Sequence, residues 1–261
     1  MSILELNPPA GARVRVISDW HLGHERCEVP GEDAMLRVME GADILISAGD
    51  LAETRPNEWQ ERGLAARDRF RTLCRERGVQ LIEIAGNHDP DVEPLLVKLW
   101  NGRVVIMHGH ALYKEVAPWS WEYLRNKEKC RDCIRSFADA DTDLVSRLEL
   151  SRAMSQLTPP IMRRDIRNRY LRSFLHCFWP PQRPLGIVLC WLTCGLRAEH
   201  FARRYFSEAE TLILGHFHRG LATHYGNRRI YNTGAWFIHA TPYAVDLCDG
   251  RVTAYSKIEK R

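Results

Sequence analysis

The sequence lacks the marks of several protein classes. Its first thirteen residues contain no basic stretch followed by an apolar run, so a secretory signal is not expected. Eight cysteines are too few in 261 residues for a disulfide scaffold, and no internal repeat or low-complexity tract is present. With 45% hydrophobic and 27% charged residues, the chain is not expected to be disordered. We therefore expect a soluble globular protein located in the cytoplasm.

A strong overall charge is also lacking, because 37 basic and 33 acidic residues leave a net charge of +4. The distribution of that charge is uneven. Between residues 111 and 206 there are 17 Lys or Arg against 10 Asp or Glu, a local charge of +7, which leaves −3 for the rest of the chain. The two parts are expected to face different surroundings.

Short apolar segments alternate with helix-like segments in the first half of the chain. Three β-prone segments each end in polar residues: 13–18, 44–47 and 81–84. Two helix-like stretches separate them: 32–40 and 58–77. This βαβαβ pattern predicts parallel strands with right-handed crossovers. Further strands are predicted at 103–107 and 211–214, and antiparallel strands at 229–232, 243–247 and 252–257.

A polar cluster follows each of five predicted strands. The clusters are Asp19-Trp20-His21, Gly49-Asp50, Gly86-Asn87-His88-Asp89, His108-Gly109-His110 and Gly215-His216-Phe217-His218. Open α/β sheets bind ligands outside the carboxyl ends of their strands, so clusters that are distant in sequence can converge on one site. Each motif alone is more often a turn or a cap, but five of them at strand ends indicate a metal site.

The side chains in these clusters are of metal-ligand types. Carboxylate, amide and imidazole groups in one set suit Mn, Fe, Zn, Ni or Co. The candidate ligands are Asp19, His21, Asp50, Asn87, His108, His216 and His218. The carboxylate of Asp50 is able to bridge two cations.

Together the five motifs resemble the signature of the calcineurin-like metallophosphoesterase superfamily, over about residues 13–110 and 208–257. The resemblance implies a four-layer α/β/β/α sandwich and two divalent metal ions, Mn being the first expectation. It implies that one ion is held by Asp19, His21, Asp50 and His218, and the other by Asp50, Asn87, His108 and His216. It also implies that His88 contacts the scissile phosphate and protonates the leaving oxygen.

Other polar residues of the motifs have two interpretations each. Asp89 either orients His88 or caps a helix that begins at Pro90. His110 either contacts the phosphate or a metal ligand, or is a turn residue, and Asn87 is expected to contact substrate as well as metal. The segment 232–234 either lines the site or forms a plain turn. The remaining histidines are taken as ordinary surface or core residues: His24, His176, His200, His224 and His239.

The segment between the fourth and fifth motifs differs from the rest. We expect residues 1–110 and 208–261 to form the two parts of the metallophosphoesterase core, and residues 111–207 to form a helical insertion, or cap. The insertion interleaves arginines with aromatic residues, and its apolar run at 185–196 would be only about 18 Å long as a helix. That is too short for a hydrocarbon core of about 30 Å.

Three interpretations of the insertion stay open. It is a packed cap whose arginines are solvated, or a peripheral contact with an anionic membrane surface such as the inner membrane face, or a grip on nucleic acid. Basic and aromatic residues beside a short apolar helix suit the second. The cysteine pairs at 130/133 and 190/194 are expected to pack in the protein and not to bind zinc.

Within the superfamily, this arrangement resembles the UDP-2,3-diacylglucosamine hydrolases, peripheral membrane enzymes of lipid A synthesis with a helical lid. The resemblance implies a nucleotide-linked lipid as the phosphate-containing substrate, and we expect Arg164 and Arg167 to contact it. One departure is that those enzymes usually carry Arg where this chain has His88, the residue of generic phosphodiesterases.

The expected function is therefore a dinuclear metal-dependent hydrolase of a phosphodiester or pyrophosphate. The alternative is a nucleotide or nucleic-acid phosphodiesterase, in which the basic insertion grips phosphates. A non-catalytic scaffold is a third hypothesis, against which the complete ligand set and the retained His88 argue.

Overall fold

The computed structural model describes residues 2–29, 31–157, 178 and 182–260. The strands of this described part are β1 (Ile3–Leu6), β2 (Val14–Ile17), β3 (Ile44–Ser47), β4 (Gln80–Glu83), β5 (Leu96–Leu99), β6 (Val104–Met107), β7 (Thr211–Leu214), β8 (Gly220–Tyr225), β9 (Arg228–Thr233), β10 (Tyr243–Cys248) and β11 (Arg251–Lys257). Its helices are α1 (Glu32–Met39), α2 (Gln60–Glu76), α3 (Trp121–Arg125), α4 (Lys127–Ser136), α5 (Leu144–Leu157) and α6 (Gln182–Tyr205).

One sheet has five strands in the order β11-β10-β2-β3-β4. Strands β2, β3 and β4 run parallel, as the βαβαβ pattern predicts. Strand β10 pairs antiparallel with β2, and β11 pairs antiparallel with β10. All four residues of β3 are buried, which explains why its sequence shows an apolar run without alternation.

The other sheet has six strands in the order β1-β5-β6-β7-β9-β8. Three of them, β1, β5 and β8, are absent from the sequence-based prediction, because two are only four residues long and β8 is mixed in polarity. The predicted antiparallel strand at 229–232 runs parallel to β7 and is antiparallel only to β8. Pairing partners of strands are set by long-range packing, which a local pattern does not contain.

The two sheets pack face to face between two helical layers. Apolar residues of β2, β3 and β10 meet those of β5, β6 and β7 in one buried cluster between the sheets. A second cluster joins α1 and α2 to the outer face of the five-stranded sheet. A third joins α5 and α6 to the outer face of the six-stranded sheet. This is the four-layer α/β/β/α sandwich expected from the resemblance.

Helices α3 to α6 lie along the chain between β6 and β7, within residues 111–207. Helix α6 extends well beyond the apolar run at 185–196, and by length and composition alone it is able to cross a membrane. One side of it is packed on the six-stranded sheet through Cys194, Ala198 and Phe201. The opposite side exposes Leu185, Val188, Leu189 and Leu192 in its first half, and Leu196 just beyond.

The two cysteine pairs of the insertion lie in different apolar clusters. Cys130 is buried beside Val116 and Leu150, in a small cluster inside the insertion. Cys190 and Cys194 are buried over the six-stranded sheet. Burial raises the pKa of the Cys190 thiol to about 12, as expected for a packing residue.

Candidate metal centre

The loops that carry the candidate ligands leave their strands in an unusual backbone conformation. Five ligand residues have positive φ angles: Asp19 at 52°, His21 at 50°, Asp50 at 54°, His216 at 71° and His218 at 53°. Residues other than glycine adopt this region seldom, at a cost on the order of 1–3 kcal/mol each. The surrounding packing therefore holds these loops in a strained form, as is common at functional sites.

Two glycines allow the loops of different strands to approach closely. A Cβ atom on Gly49, whose φ is 89°, would lie 2.5 Å from ring atoms of His108, on the opposite sheet. A Cβ atom on Gly86 would collide with the carboxylate of Asp50. These positions explain why Gly precedes Asp50 and Asn87 in the sequence motifs.

The first group of ligands surrounds a single point. Donor atoms of Asp19, His21, Asp50 and His218 all lie within 4.8 Å of one another. The Nε2 atoms of His21 and His218 are 3.2 Å apart, and His218 Nε2 is 3.2 Å from Asp19 Oδ1. Ligands at about 2.1 Å from one divalent ion stand roughly 3 Å from each other, so these separations fit a shared cation.

The second group shares Asp50 with the first. Asp50 Oδ2 is 3.1 Å from His108 Nε2, which in turn is 3.2 Å from Asn87 Oδ1. The same amide oxygen is 2.8 Å from His216 Nδ1. The structure thus brings all seven candidate ligands into two adjoining groups that meet at one carboxylate, and this donor set fits two divalent ions.

Three of the ligand histidines are anchored through their other ring nitrogen. His21 Nδ1 lies 3.0 Å from Glu53 Oε1, His108 Nδ1 lies 2.9 Å from the Ala48 carbonyl, and His216 Nε2 lies 3.1 Å from the Val116 carbonyl. Each outer ring nitrogen therefore has an acceptor for its N–H, and the inner nitrogen faces the centre, where it would bind a metal once it is free of a proton. This fixes both the tautomer and the ring orientation that metal binding requires.

Burial and charge act differently on the ligand histidines. Burial, with the neighbouring His108 charge, lowers the pKa of His216 to about 3, so this ring is neutral. Burial also lowers the pKa of His108, but the negative charges of Asp50 and Asp19 outweigh it and raise that pKa to about 9. A cation held by Asp50 and His108 would take the place of the His108 proton.

His88 stands at the edge of the centre and is held by a residue that the sequence analysis missed. Its Nδ1 lies 2.9 Å from Glu53 Oε2, and the other Glu53 oxygen anchors His21. Burial lowers the pKa of His88, but the charges of Glu53 and Asp50 outweigh burial and raise the pKa above its ordinary value. The available signal was the position of Glu53, three residues after Asp50 on the same loop.

Asp89 occupies a different place from both expectations. Its carboxylate accepts hydrogen bonds from the backbone N–H groups of Gly86 at 2.7 Å, Asp50 at 2.9 Å and Leu51 at 2.7 Å. The chain after it forms turns where a capped helix was considered, and Glu53 is the carboxylate that meets the His88 ring. Asp89 therefore ties the loop of Asp50 to the loop of Asn87.

His110 is packed behind the ligands. Only 3% of it is exposed, and its ring centre lies 5.2 Å from that of His108 and 6.2 Å from that of His216. Among the described residues, neither ring nitrogen has a hydrogen-bond partner. Burial lowers its pKa well below the ordinary value, so the ring is neutral where it touches the ligands.

The remaining candidates fall into two classes. Asn232 donates from Nδ2 to the Gly215 carbonyl at 2.5 Å, beside His216, and the hydroxyls of Thr233 and Ser18 are 2.5 Å apart, beside Asp19. The segment 232–234 therefore braces the loops that carry these two ligands. Arg164 and Arg167 lie outside the described residues, and their contacts with substrate stay predictions.

The insertion borders the centre on one side. The Trp119 ring lies 6.2 Å from the His216 ring, and Trp191 on α6 donates from Nε1 to the Phe217 carbonyl at 2.9 Å. Arg219 donates in turn to the Trp191 carbonyl at 3.3 Å. The first half of α6 therefore lies directly beside the loop that carries His216 and His218.

Comparisons with known proteins agree with this site. A model of the calcineurin-like phosphoesterase family matches residues 12–220. A search of curated protein sequences finds no match. Because residues 12–220 include all seven candidate ligands and His88, the family match covers the whole centre.

Solved structures with a similar fold include three examples at low identity. They are a predicted phosphoesterase from Streptococcus pneumoniae (15% identity, 93% of this chain and 86% of that chain, TM-score 0.39), a Vps29 mutant from Entamoeba histolytica (14%, 95% and 99%, 0.43) and the phosphoesterase Yfce from E. coli (14%, 95% and 100%, 0.41).

Proposed function

Because the chain belongs to the calcineurin-like phosphoesterase family, we propose that its metal centre hydrolyses a phosphodiester or pyrophosphate that carries an apolar group. Metal-dependent hydrolysis of a phosphoric ester follows from the family and from the clustered Asp and His ligands. The finer proposal is the substrate class, a nucleotide-linked lipid such as UDP-2,3-diacylglucosamine. The observation that carries it is the exposed apolar face of α6 beside the centre.

The ligand groups divide the work of the site. Asp19, His21 and His218 would hold one ion, Asn87, His108 and His216 the other, and Asp50 both. Two bound divalent ions supply activation of water and stabilisation of charge on the phosphoryl oxygens. Tight anchoring of the ligand rings keeps this arrangement ready before substrate arrives.

His88 is proposed to protonate the leaving oxygen. Its Nδ1 donates to Glu53, which leaves Nε2 as the second ring nitrogen of a side chain that is 24% exposed. The charges of Glu53 and Asp50 raise the pKa of His88, which favours the protonated form that an acid needs. Glu53 acts through His88 and is a positioning residue.

The apolar face of α6 is proposed to receive the apolar part of the substrate. Leu185 is 66% exposed, Leu189 60% and Leu192 69%, and all lie on one side of the helix. A patch of this kind on a soluble protein usually marks a contact surface. Trp191, on the same helix, is bonded to the loop between His216 and His218, so phosphate at the ions and acyl chains on α6 fit one molecule.

Peripheral contact with an anionic membrane surface is part of the same proposal. The substrate class is embedded in a bilayer, and the insertion carries a local charge of +7. Apolar side chains would enter the acyl boundary while arginines meet headgroup phosphates. We place the protein in the cytoplasm, at the inner membrane face when it is bound.

A second candidate is a nucleotide or nucleic-acid phosphodiesterase. The positive charge of the insertion also suits a polyanion, and His88 is the residue of generic phosphodiesterases. In that case the exposed leucines of α6 would have no role in substrate binding. This difference makes the acyl chains the discriminating feature.

The test compares one substrate with and without those chains, beside two unrelated phosphodiesters. Protein loaded with Mn²⁺ is assayed with a nucleotide diphosphate diacyl sugar, the same compound without acyl chains, single-stranded DNA and a small aryl phosphodiester. We expect kcat/KM to be at least about 100-fold higher for the acylated compound, as two buried chains contribute several kcal/mol. Equal values with and without acyl chains, or a preference for DNA, would reject the lipid proposal and leave the hydrolase intact.

A further inference from the structure

A second concave site lies on the insertion, between α5 and the second half of α6. It is a cavity of about 570 Å³. Its lining includes four arginines, one histidine and one carboxylate: Arg147, Arg197, Arg203, Arg204, His200 and Asp141. Among the described residues that line it there is no metal ligand, so it is separate from the centre described above.

Two carboxylates at or beside this cavity already have basic partners. Asp141 Oδ2 accepts a hydrogen bond from Lys114 at 2.6 Å, and its other oxygen comes no closer than 3.8 Å to Arg147. Glu199 accepts from Arg203 at 2.6 Å and from Arg228 at 2.8 Å. The cavity therefore keeps an excess of positive charge, which a concave surface concentrates.

Two of the arginines rest on neutral partners. The guanidinium of Arg197 lies over the Tyr113 ring, 4.5 Å from its centre. Arg204 donates from Nη1 to the backbone carbonyl of Asp141 at 3.0 Å. Each guanidinium has five N–H donors, so both keep donors for a ligand.

Arg147 is the most constrained of the four. It is only 7% exposed, and it donates from Nε to the Ala111 carbonyl at 2.8 Å and from Nη2 to the Leu112 carbonyl at 3.3 Å. Burial lowers its pKa, so the charged form is less favourable here than in water. Neutral carbonyls offset part of that desolvation, and an anion in the cavity would offset more.

We propose that this cavity binds a ligand through a phosphate group. Planar guanidinium groups match phosphate oxygens with two parallel hydrogen bonds, and several of them around one space favour that anion. The cavity is much larger than inorganic phosphate, within the range of small-molecule sites, and Phe201 and Tyr205 add aromatic lining for a ring. The phosphate belongs to a soluble nucleotide or to the headgroup of an anionic lipid.

The test measures binding to protein that has been depleted of metal with EDTA, so that phosphate does not bind at the metal centre. Titration calorimetry is performed with inorganic phosphate and with AMP, and co-sedimentation with phosphatidylcholine vesicles that contain or lack phosphatidylglycerol. The cavity variant is Arg197→Gln with Arg204→Gln, both exposed residues. The matched control is Arg131→Gln with Arg135→Gln, exposed arginines of α4 outside the cavity.

We expect the cavity variant to bind inorganic phosphate, AMP or phosphatidylglycerol vesicles at least about tenfold more weakly than the parent, because it loses charge-assisted hydrogen bonds between guanidinium and phosphate groups. The control should bind as the parent does. Binding of AMP assigns a soluble ligand, and binding only to phosphatidylglycerol vesicles assigns a lipid headgroup. If the double variant is misfolded by circular dichroism, Arg197→Gln alone replaces it.

Three results would overturn the proposal. One is the absence of binding to phosphate or AMP at millimolar concentration, together with the absence of binding to anionic vesicles. Another is equal binding by parent and cavity variant, and the third is an equal loss in the control, which would indicate general charge attraction. Because the protein is free of metal throughout, none of these results bears on the hydrolase function.

Discussion

The metal centre and the outer face of the insertion are built in opposite ways. At the centre, ligands such as Asp19 and His21 are fully buried, on strained backbone, and the rings are anchored from behind. On the first half of α6, leucines such as Leu189 and Leu192 are exposed to solvent and touch little else. The first region fixes atoms in place, whereas the second presents a surface. This difference supports the proposal that the core carries the chemistry and that the insertion selects the substrate and the location.

The largest effect is expected from removal of the shared carboxylate. Asp50→Ala takes one ligand from each ion, so bound metal should fall from two and hydrolysis of every substrate should drop to background. The fold should survive, because Asp50 follows the end of β3. Metal content and turnover are measured beside Asp68→Ala, an exposed acid on α2. A variant with half of the parent turnover and two ions would refute the assignment.

A smaller loss is expected from His88→Ala. Turnover should fall by about 10²–10⁴-fold, the usual contribution of a positioned acid, while metal content stays near two. The loss should be much smaller for an activated aryl phosphodiester than for an alkyl one, because a good leaving group needs no proton. Equal losses on both would mean that His88 only stabilises charge.

Glu53→Gln is expected to lower turnover by about 10–100-fold, which is the usual effect of replacing a residue that hydrogen-bonds to a metal-ligand side chain. It also removes the charge that raises the pKa of His88. Activity that needs protonated His88 is lost as pH rises through this pKa. The descending limb of kcat/KM against pH should therefore move to lower pH in the variant, with an alkyl leaving group. An unmoved limb would separate Glu53 from the protonation of His88.

The smallest effect on chemistry is expected on α6. Leu189→Ser with Leu192→Ser should reduce binding to anionic vesicles by about tenfold or more. Two leucine side chains that become partly buried in the bilayer contribute a few kcal/mol to binding. Hydrolysis of a small soluble phosphodiester should hardly change. The control is Val145→Ser, an apolar residue on α5 that is 44% exposed. Failure of the parent protein to bind anionic vesicles at low salt would remove the interfacial interpretation.

Charge on the insertion supplies a separate prediction from the sequence. Replacing Arg164, Arg167 and Arg172 by Glu changes the local charge by six units, and each basic residue near an anionic surface contributes about 1 kcal/mol. Vesicle binding should fall by orders of magnitude, with the soluble assay unchanged. Co-sedimentation at two salt concentrations measures it, and a loss that persists at high salt would contradict an electrostatic cause.

Much of the core was predictable because its signals are local. Each short apolar strand and the polar cluster after it, such as Asp19 to His21, lie within a few residues of each other. The parallel strands β2, β3 and β4 were predicted correctly for this reason. The strands β1, β5 and β8 were missed because they are short or mixed in polarity, and their pairing partners lie far away in sequence.

The sequence by itself determined the kinds of ligand, their order and their attachment to strand ends, because residue type and strand pattern are written locally. Tertiary structure alone decided that Glu53 serves both His21 and His88 and that Asp89 binds three backbone amides. It also decided which side of α6 stays exposed, because the sequence pattern of this helix does not mark one face as the outer one. The outer face is defined only once the six-stranded sheet covers the opposite face. These features depend on contacts between distant segments, and no local periodicity encodes them.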